Sequence, residues 1–277
     1  MLSAQSRDTS AVTPGCEACA EWNAPHAPFR IYGNTWYVGT NGLASILITS
    51  PQGHVLIDGG LMESAPRIAA SIEALGFRID EVKLLLNSHV HYDHAGGLGE
   101  LQRRSGASAA ATAPAAAVLR SGQVGSDDPQ FGIAFATAPL QRVRVVADGE
   151  TLRVGTTEVT AHLTAGHTPG GTSWTWTSCE RARCRAMVYG DSQSAISADG
   201  FRFTGSAAAR QFEAGFRTLE SLACDILLTP HPDASQLWER LARRNGGEPD
   251  ALVDATACRR YAAGARERLA QRIASER

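Results

Sequence analysis

The run Val82-Lys83-Leu84-Leu85-Leu86 passes directly into Asn87-Ser88-His89-Val90-His91-Tyr92-Asp93-His94-Ala95-Gly96-Gly97-Leu98. The apolar pentapeptide reads as a buried strand, and the paired glycines mark a turn into a helix. Three histidines and an aspartate are thus delivered within six residues at one strand end. In extended backbone, residues two apart face the same way, so His89 and His91 can grip one ion. Asp93 and His94 break the alternation and offer a carboxylate oxygen and an imidazole nitrogen to a second ion nearby. Imidazole mixed with carboxylate suits zinc better than magnesium or calcium, which favour all-oxygen shells. A polar loop whose histidines only satisfy backbone groups is the bland alternative, and the density of ligands tells against it.

Two ions with three protein ligands each need more than this stretch supplies. Thr164-Ala165-Gly166-His167-Thr168-Pro169-Gly170-Gly171 follows an apolar segment ending at Leu163, and Thr229-Pro230-His231-Pro232 follows Ile226-Leu227-Leu228. His167 therefore sits in a Gly/Pro-rich turn and His231 between prolines that fix the backbone. Three strand ends presenting histidine are what a site between two sheets requires. Three protein ligands per ion leave room for water, which marks a catalytic rather than a structural zinc site. Asp58, before Gly59-Gly60, is a candidate acceptor orienting a ligand imidazole, or else a turn-forming aspartate. His26, His54 and His162 read as structural.

Residues 1–28 read as an irregular arm, and 29–277 as one domain. Short strands are expected at 30–32, 35–38, 44–48 and 54–58, separated by turn residues as in an antiparallel meander. A helix at 64–75, the 82–86 strand, a helix at 97–104 and an Ala-rich strand and helix over 109–120 follow. Residues 121–140 lack periodicity and read as a long loop covering a site. Strands at 142–146, 151–154, 158–163, 172–177 and 186–189 precede a helix at 207–222 and a strand at 225–228. Helices at 235–243 and 255–274 complete the chain, the last with Tyr261, Ala265, Leu269 and Ile273 as a packing stripe. Two successive meander-and-helix sets fit an α/β architecture with two facing sheets and helices outside, an αβ/βα sandwich.

The chain has 277 residues, 43% of them hydrophobic, so it can bury a large core. A formal net charge of −2 gives no footprint for a polyanion, which disfavours nucleic acid and anionic membrane surfaces as partners. No apolar run approaches the roughly 20 residues of a membrane span. The first fifteen residues lack the apolar core of a signal peptide. Six cysteines allow 15 pairings. Cys179 and Cys184 flank the charged turn Glu180-Arg181-Ala182-Arg183, where a hairpin-closing disulfide fits. Cys224 with Cys258 would close a loop of about 35 residues. Cys16 and Cys19 suit a local disulfide clip better than zinc, since no second pair completes four ligands. An even count away from the histidines points to the periplasm or secretion.

With these residues assembled, the sequence resembles the metallo-β-lactamase superfamily, whose H-x-H-x-D-H hallmark stands here as His89 to His94. Within it, the chain is similar to the third subclass of class B β-lactamases. Phe29 to Thr35, Tyr37 to Thr40, Leu56 to Gly60, Gly166-His167-Thr168, Asp191 to Ser194 and His231-Pro232 carry the likeness. The resemblance implies one zinc on His89, His91 and His167 and a second on Asp93, His94 and His231, two Zn2+ per chain. It also implies hydrolysis of the β-lactam amide of carbapenems, cephalosporins and penicillins by a metal-bound hydroxide, with Asp93 orienting the nucleophile. Other subclasses place a zinc-binding Cys near Ser192; a hydroxyl is a poor ligand, so Ser192 and Ser194 are left to bind a substrate carboxylate. Gln130 matches a position implied to touch substrate. The small-molecule β-lactam is the expected partner and a monomer the expected state. Glyoxalase-type thioester or lactone hydrolases are the alternative, because their Gly-Asp-Thr-like sequence, whose aspartate bridges both metals, resembles Gly190-Asp191-Ser192.

Overall fold

The computed structural model describes residues 16–276. Among them, twelve strands form two sheets. The first has seven strands in sequential order: β1 (Phe29–Tyr32), β2 (Thr35–Tyr37), β3 (Ile46–Ile48), β4 (His54–Ile57), β5 (Val82–Leu86), β6 (Ser108–Ala111) and β7 (Val143–Val145). Strands β1 to β4 form the expected antiparallel meander, and β4 to β7 run parallel. The second sheet runs β12 (Ile226–Leu228), β11 (Arg183–Tyr189), β10 (Thr172–Glu180), β9 (Thr157–Leu163) and β8 (Thr151–Val154).

Strand alternation assigns the layers. Ile46, Ile48, Val55, Ile57, Leu86 and Ala110 from the first sheet meet Val159, Ala161, Trp174, Trp176, Met187, Tyr189, Ile226 and Leu228 from the second. The intervening Leu47, Leu56, Leu85 and Ala109 point outward and are covered by α2 (Ala65–Ala74), α4 (Leu98–Ser105) and α5 (Ala113–Ser121). On the far side, Val188 and Leu227 point out of the second sheet to residues at the start of α8 (Ala257–Ser275). Phe212, Phe216 and Leu219 of α6 (Ala207–Ser221) pack on Ala262, Ala265 and Leu269 of α8. Leu237 of α7 (Leu237–Asn245) joins the core between the sheets, and Arg240 Nη1 of the same helix donates to Leu227 O at 3.0 Å. The two-sheet sandwich with outer helices is the expected architecture. No helix among the described residues is long and apolar enough to cross a membrane.

Three local expectations change. Residues 1–15 of the proposed irregular arm lie outside the described part, but 16–28 are ordered on the body of the protein. They contain α1 (Cys19–Trp22) and the Cys16–Cys19 disulfide, with Cys19 fully buried. The histidine segment is extended only to His91; α3 (Tyr92–Ala95) is a helical turn, with His94 N and Ala95 N donating to His91 O. That turn, not an interrupted strand, carries Asp93 and His94 together. Finally, the charged turn is shorter than expected: β10 and β11 take in its outer residues, pairing Cys179 with Cys184 and Glu180 with Arg183, and leave Arg181-Ala182 as the turn. The ribbon end is solvated there, so charged side chains fit a strand. All three expected disulfides are present: 16–19, 179–184 and 224–258.

Candidate metal centre

The histidine segment is held from both sheets. From the second, Trp174 Nε1 donates to Asn87 O at 3.0 Å, and Thr172 N donates to Ser88 O at 2.8 Å. From the first, the fully buried Asp58 accepts from Asn87 Nδ2 (3.0 Å), Ser88 N (2.7 Å), Ser88 Oγ (2.6 Å) and Tyr189 OH (2.8 Å). Asp58 adopts φ 62°, a region aspartate enters more readily than most residues. Its nearest imidazole, His94 Nδ1, stands 3.9 Å away, too far for a hydrogen bond. The expected role of orienting a ligand imidazole directly is therefore replaced by clamping residues 87 and 88. Backbone contact completes the seat: Gly59 N donates to His94 O, and Gly97 N to Gly60 O. A Cβ on Gly97 would lie 2.2 Å from Gly59 O, so only glycine permits this approach.

His167 and His231 come in from the turns after β9 and β12. Nitrogen atoms of His89, His91 and His167 lie within 4.8 Å of one another, as do ligand atoms of His89, Asp93 and His94. His91 Nδ1 and His167 Nε2 are 3.1 Å apart. Asp93 Oδ2 is 3.1 Å from His94 Nε2 and 3.2 Å from His231 Nε2. These separations approach the ~3.3 Å edge of a tetrahedron with ~2.0 Å metal–ligand bonds.

The opposite ring nitrogens decide where the lone pairs point. His89 Nδ1 donates to Asp191 Oδ1 (2.9 Å), His167 Nδ1 to Ser194 O (2.8 Å) and His231 Nδ1 to Gly42 O (3.2 Å). His91 Nε2 faces Asp128 Oδ1 at 3.2 Å. His89, His91 and His167 are thereby fixed in the tautomer that leaves the inward nitrogen unprotonated. His94 Nε2 is buried without a hydrogen-bond partner. Buried lone pairs facing one another repel unless a cation lies between them, so this donor set fits divalent metal.

The charge states of His89 and His167 agree. Burial, reinforced by His94, His167 and His91, keeps the His89 ring well below the ordinary imidazole value, hence neutral. Burial and the neighbouring His91 bring His167 to about 3. Burial alone would raise Asp93, but His94 and His231 outweigh it and hold the carboxyl well below its usual range. His231 is raised: burial opposes its charge, and the Asp93 carboxylate more than offsets that. Asp191 is pushed well above the carboxylate range by burial. A cation on the far nitrogen of His89 would act in the opposite sense, strengthening the Nδ1–H donor.

Asp191 stands behind His89, on the nitrogen turned away from the other ligands, rather than among them. Ser192 is buried in the same turn, and Ser194 Oγ lies 3.3 Å from His167 Nδ1. Gln130 Nε2 reaches to 3.4 Å from His91 Nδ1, so the 121–140 loop does arrive at the site. His26 stacks on Trp238, His54 faces Glu81 at 3.6 Å, and His162 bonds Thr175 Oγ1, all away from the cluster.

Three contributors were not legible. Asp128 is 2% exposed beside an exposed Asp127, and nothing in Asp127-Asp128-Pro129 distinguishes the two. Tyr261, read only as packing, also donates from its hydroxyl to Asp191 O (2.9 Å) and accepts from Gln193 N (3.1 Å). Trp22 of the arm lies against His231, ring centroids 5.0 Å apart.

Comparison with known proteins places this arrangement. The model of the metallo-beta-lactamase superfamily matches residues 39–177. The Rm3 metallo-beta-lactamase structure is 56% identical with a TM-score of 0.93, over 95% of this chain and 99% of that one. MEM-A1, a subclass B3 metallo-beta-lactamase from a soil metagenome library, is 49% identical with a TM-score of 0.90, over 92% and 98%. Metallo-beta-lactamase SMB-1 bound to 2-mercaptoethanesulfonate is 44% identical with a TM-score of 0.90, over 92% and 99%. A curated relative, "Probable metallo-hydrolase BURPS1710b_2304" of Burkholderia pseudomallei (strain 1710b), is 34% identical over 131 residues, 46% of this chain and 42% of its own length. With its hallmark histidines gathered at the strand ends of a two-sheet sandwich, the chain belongs to the metallo-beta-lactamase superfamily.

Proposed function

We propose that this protein is a di-zinc β-lactamase of the periplasm or the secreted space that hydrolyses the strained amide of β-lactam antibiotics. The observation that carries the reading is the gathering of His89, His91 and His167 within 4.8 Å of one another, with Asp93 Oδ2 3.1 Å from His94 Nε2 and 3.2 Å from His231 Nε2. Similarity to B3 enzymes along nearly the whole chain supports the substrate class. Three disulfides favour an oxidising compartment.

Bound zinc would supply a water of near-neutral pKa and polarise the lactam carbonyl. The chain's own groups do the rest. Asp93, with one oxygen toward His94 and His231, orients the attacking water. Asp191, Asp128, Ser194 O and Gly42 O hold the rings of His89, His91, His167 and His231 in orientation. Hydroxyls of Ser192 and Ser194 donate to the substrate carboxylate, and Gln130 contacts the substrate from the covering loop. No side-chain nucleophile is needed, so no acyl-enzyme forms.

The thioester alternative depends on Asp191 bridging two metals, and its position behind His89 disfavours that. Imipenem and S-lactoylglutathione hydrolysis, each with and without EDTA, test the assignment. Chelator-sensitive imipenem turnover, restored by zinc and at least 100-fold faster than thioester turnover, is expected. Imipenem hydrolysis untouched by EDTA, or a preference for the thioester, contradicts it.

A further inference from the structure

His231 is the most open of the metal-facing side chains. It is 33% exposed, against 11% for Asp93 and 3% or less for His89, His91 and His94, and His167 is buried. An imidazole so placed on a turn has rotamer freedom to lose when it takes a metal, unless its surroundings hold it beforehand. Here they do. Its Nδ1 donates to Gly42 O at 3.2 Å, and its ring lies against Trp22 with centroids 5.0 Å apart. Pro230, just before it, accepts from Ala44 N at 2.8 Å.

The 40–44 loop that receives His231 is itself held by the arm. Trp22 O accepts from Gly42 N (2.9 Å) and from Thr40 Oγ1 (2.7 Å), and Ala24 O accepts from Asn41 N (2.9 Å). A Cβ on Gly42 would lie 2.6 Å from Trp22 Cδ1, so arm and loop meet at a distance that leaves no room for a side chain. Cys19, tied to Cys16, packs with Leu43 and Leu61. Tyr92, next to Asp93 in the chain, donates from its hydroxyl to Cys16 Sγ at 3.5 Å. Both contacts of the arm fall on the second ligand set, through Tyr92 beside Asp93 and through Trp22 against His231. We propose that the disulfide-clipped arm, residues 16–24, is a clamp that sets the protein's hold on the second metal, with Trp22 as the positioning residue for His231. The ring is ordered when the arm docks rather than when metal binds, which removes an ordering cost from the binding step. The proposal rests on the two-metal reading of the site and adds that one of the two metals depends on a segment far from His231 in sequence.

Zinc affinities of both sites, measured on the full chain by competition with a chromophoric chelator, test the clamp. Histidine-selective NMR reports which ring each zinc reaches. The wild-type protein should take up two zinc ions, one shifting the His167 signals and the other those of His231. Trp22→Ala should weaken the zinc that shifts His231 about 10–100-fold and the other by under about threefold. A general loss of stability would weaken both together, so the ratio of the two affinities is the readout. Trp22→Phe, which keeps an aromatic ring against His231, should stay within about threefold of wild type. Gly42→Ala wedges loop and arm apart with Trp22 intact and should also weaken the His231 zinc selectively, which decides the matter if Trp22→Ala impairs folding. Equal weakening of both zincs, unchanged affinity in Trp22→Ala or Gly42→Ala, or a Trp22→Phe variant as weak as Trp22→Ala overturns the proposal while leaving the two-metal reading intact. Uptake of a single zinc by the wild-type protein overturns that reading, and the clamp with it.

Discussion

Replacing Cys224 and Cys258 together by alanine tests how the second half of the sandwich is secured. The bond closes a loop of 35 residues, from its sequence separation of 34. That loop contains β12, the His231 turn and α7. In the chain-entropy account the cross-link removes about 13 cal/mol/K from the unfolded chain, or about 4 kcal/mol at 25 °C. The sulfurs also fill space, as Cys258 is 2% and Cys224 8% exposed, which adds about 1 kcal/mol for the lost contacts. The Cys179–Cys184 bond supplies an internal control, with a separation of only 5. The same relation gives about 2 kcal/mol there, and those residues already face each other across a paired hairpin. Guanidinium unfolding of both double variants, on metal-stripped protein so that ligand binding does not contribute, measures the difference. The 224–258 variant should lose 3–5 kcal/mol and show a steeper denaturant slope, because its unfolded chain is more expanded. A loss under 1 kcal/mol, or a larger loss from the 179–184 variant, would refute the loop-entropy reasoning.

Further perturbations address other parts of the fold. Glu276 accepts from Phe203 N, Thr204 N and Thr204 Oγ1 and pairs with Arg272, which outweighs the effect of burial and holds its carboxyl at about 2. Since its folded value lies below the unfolded one, its contribution is present above about pH 4.5 and lost as pH falls toward 2. Glu276→Gln should therefore destabilise by about 1–2 kcal/mol at pH 7 and by far less at pH 2.5, measured by urea midpoints; an equal loss at both pH values would contradict this. Gly97→Ala drives a methyl onto Gly59 O and should cost about 2–3 kcal/mol and weaken metal retention, read by melting and by metal content after dialysis. Ile57→Ala, at a fully buried position between the sheets, should cost about 2–5 kcal/mol in the same melts; a change under 1 kcal/mol would remove it from the core. Asp128→Asn keeps the shape but weakens the acceptor facing His91, and should lower zinc affinity about 10–100-fold in a chelator competition.

Much of this was written in local pattern. Alternation placed Ile46, Ile48, Val55 and Ile57 on one face, and histidine at three strand ends marked where a site between sheets would assemble. What local pattern does not encode is contact across long separations. Asp128 acts on a residue 37 positions away, and its neighbour Asp127 has the same chemistry but faces solvent. The single helical turn Tyr92–Ala95 is too short to show a helical period, so Asp93 and His94 read as a broken strand. Polar composition made the leading segment look irregular, whereas its disulfide and the Trp22 contact with His231 tie residues 16–22 to the body. Tyr261 fitted a packing stripe because a helix face reports burial, not what a hydroxyl at its rim will meet.

An anomalous-difference map at the zinc edge, from crystals of protein purified without chelator, interrogates the metal centre itself. Two peaks roughly 3.5–4 Å apart are predicted, one bonded to His89, His91 and His167 and the other to Asp93, His94 and His231. A single peak, or either His167 or His231 lying outside bonding distance of both, would contradict a two-metal site drawn from these segments.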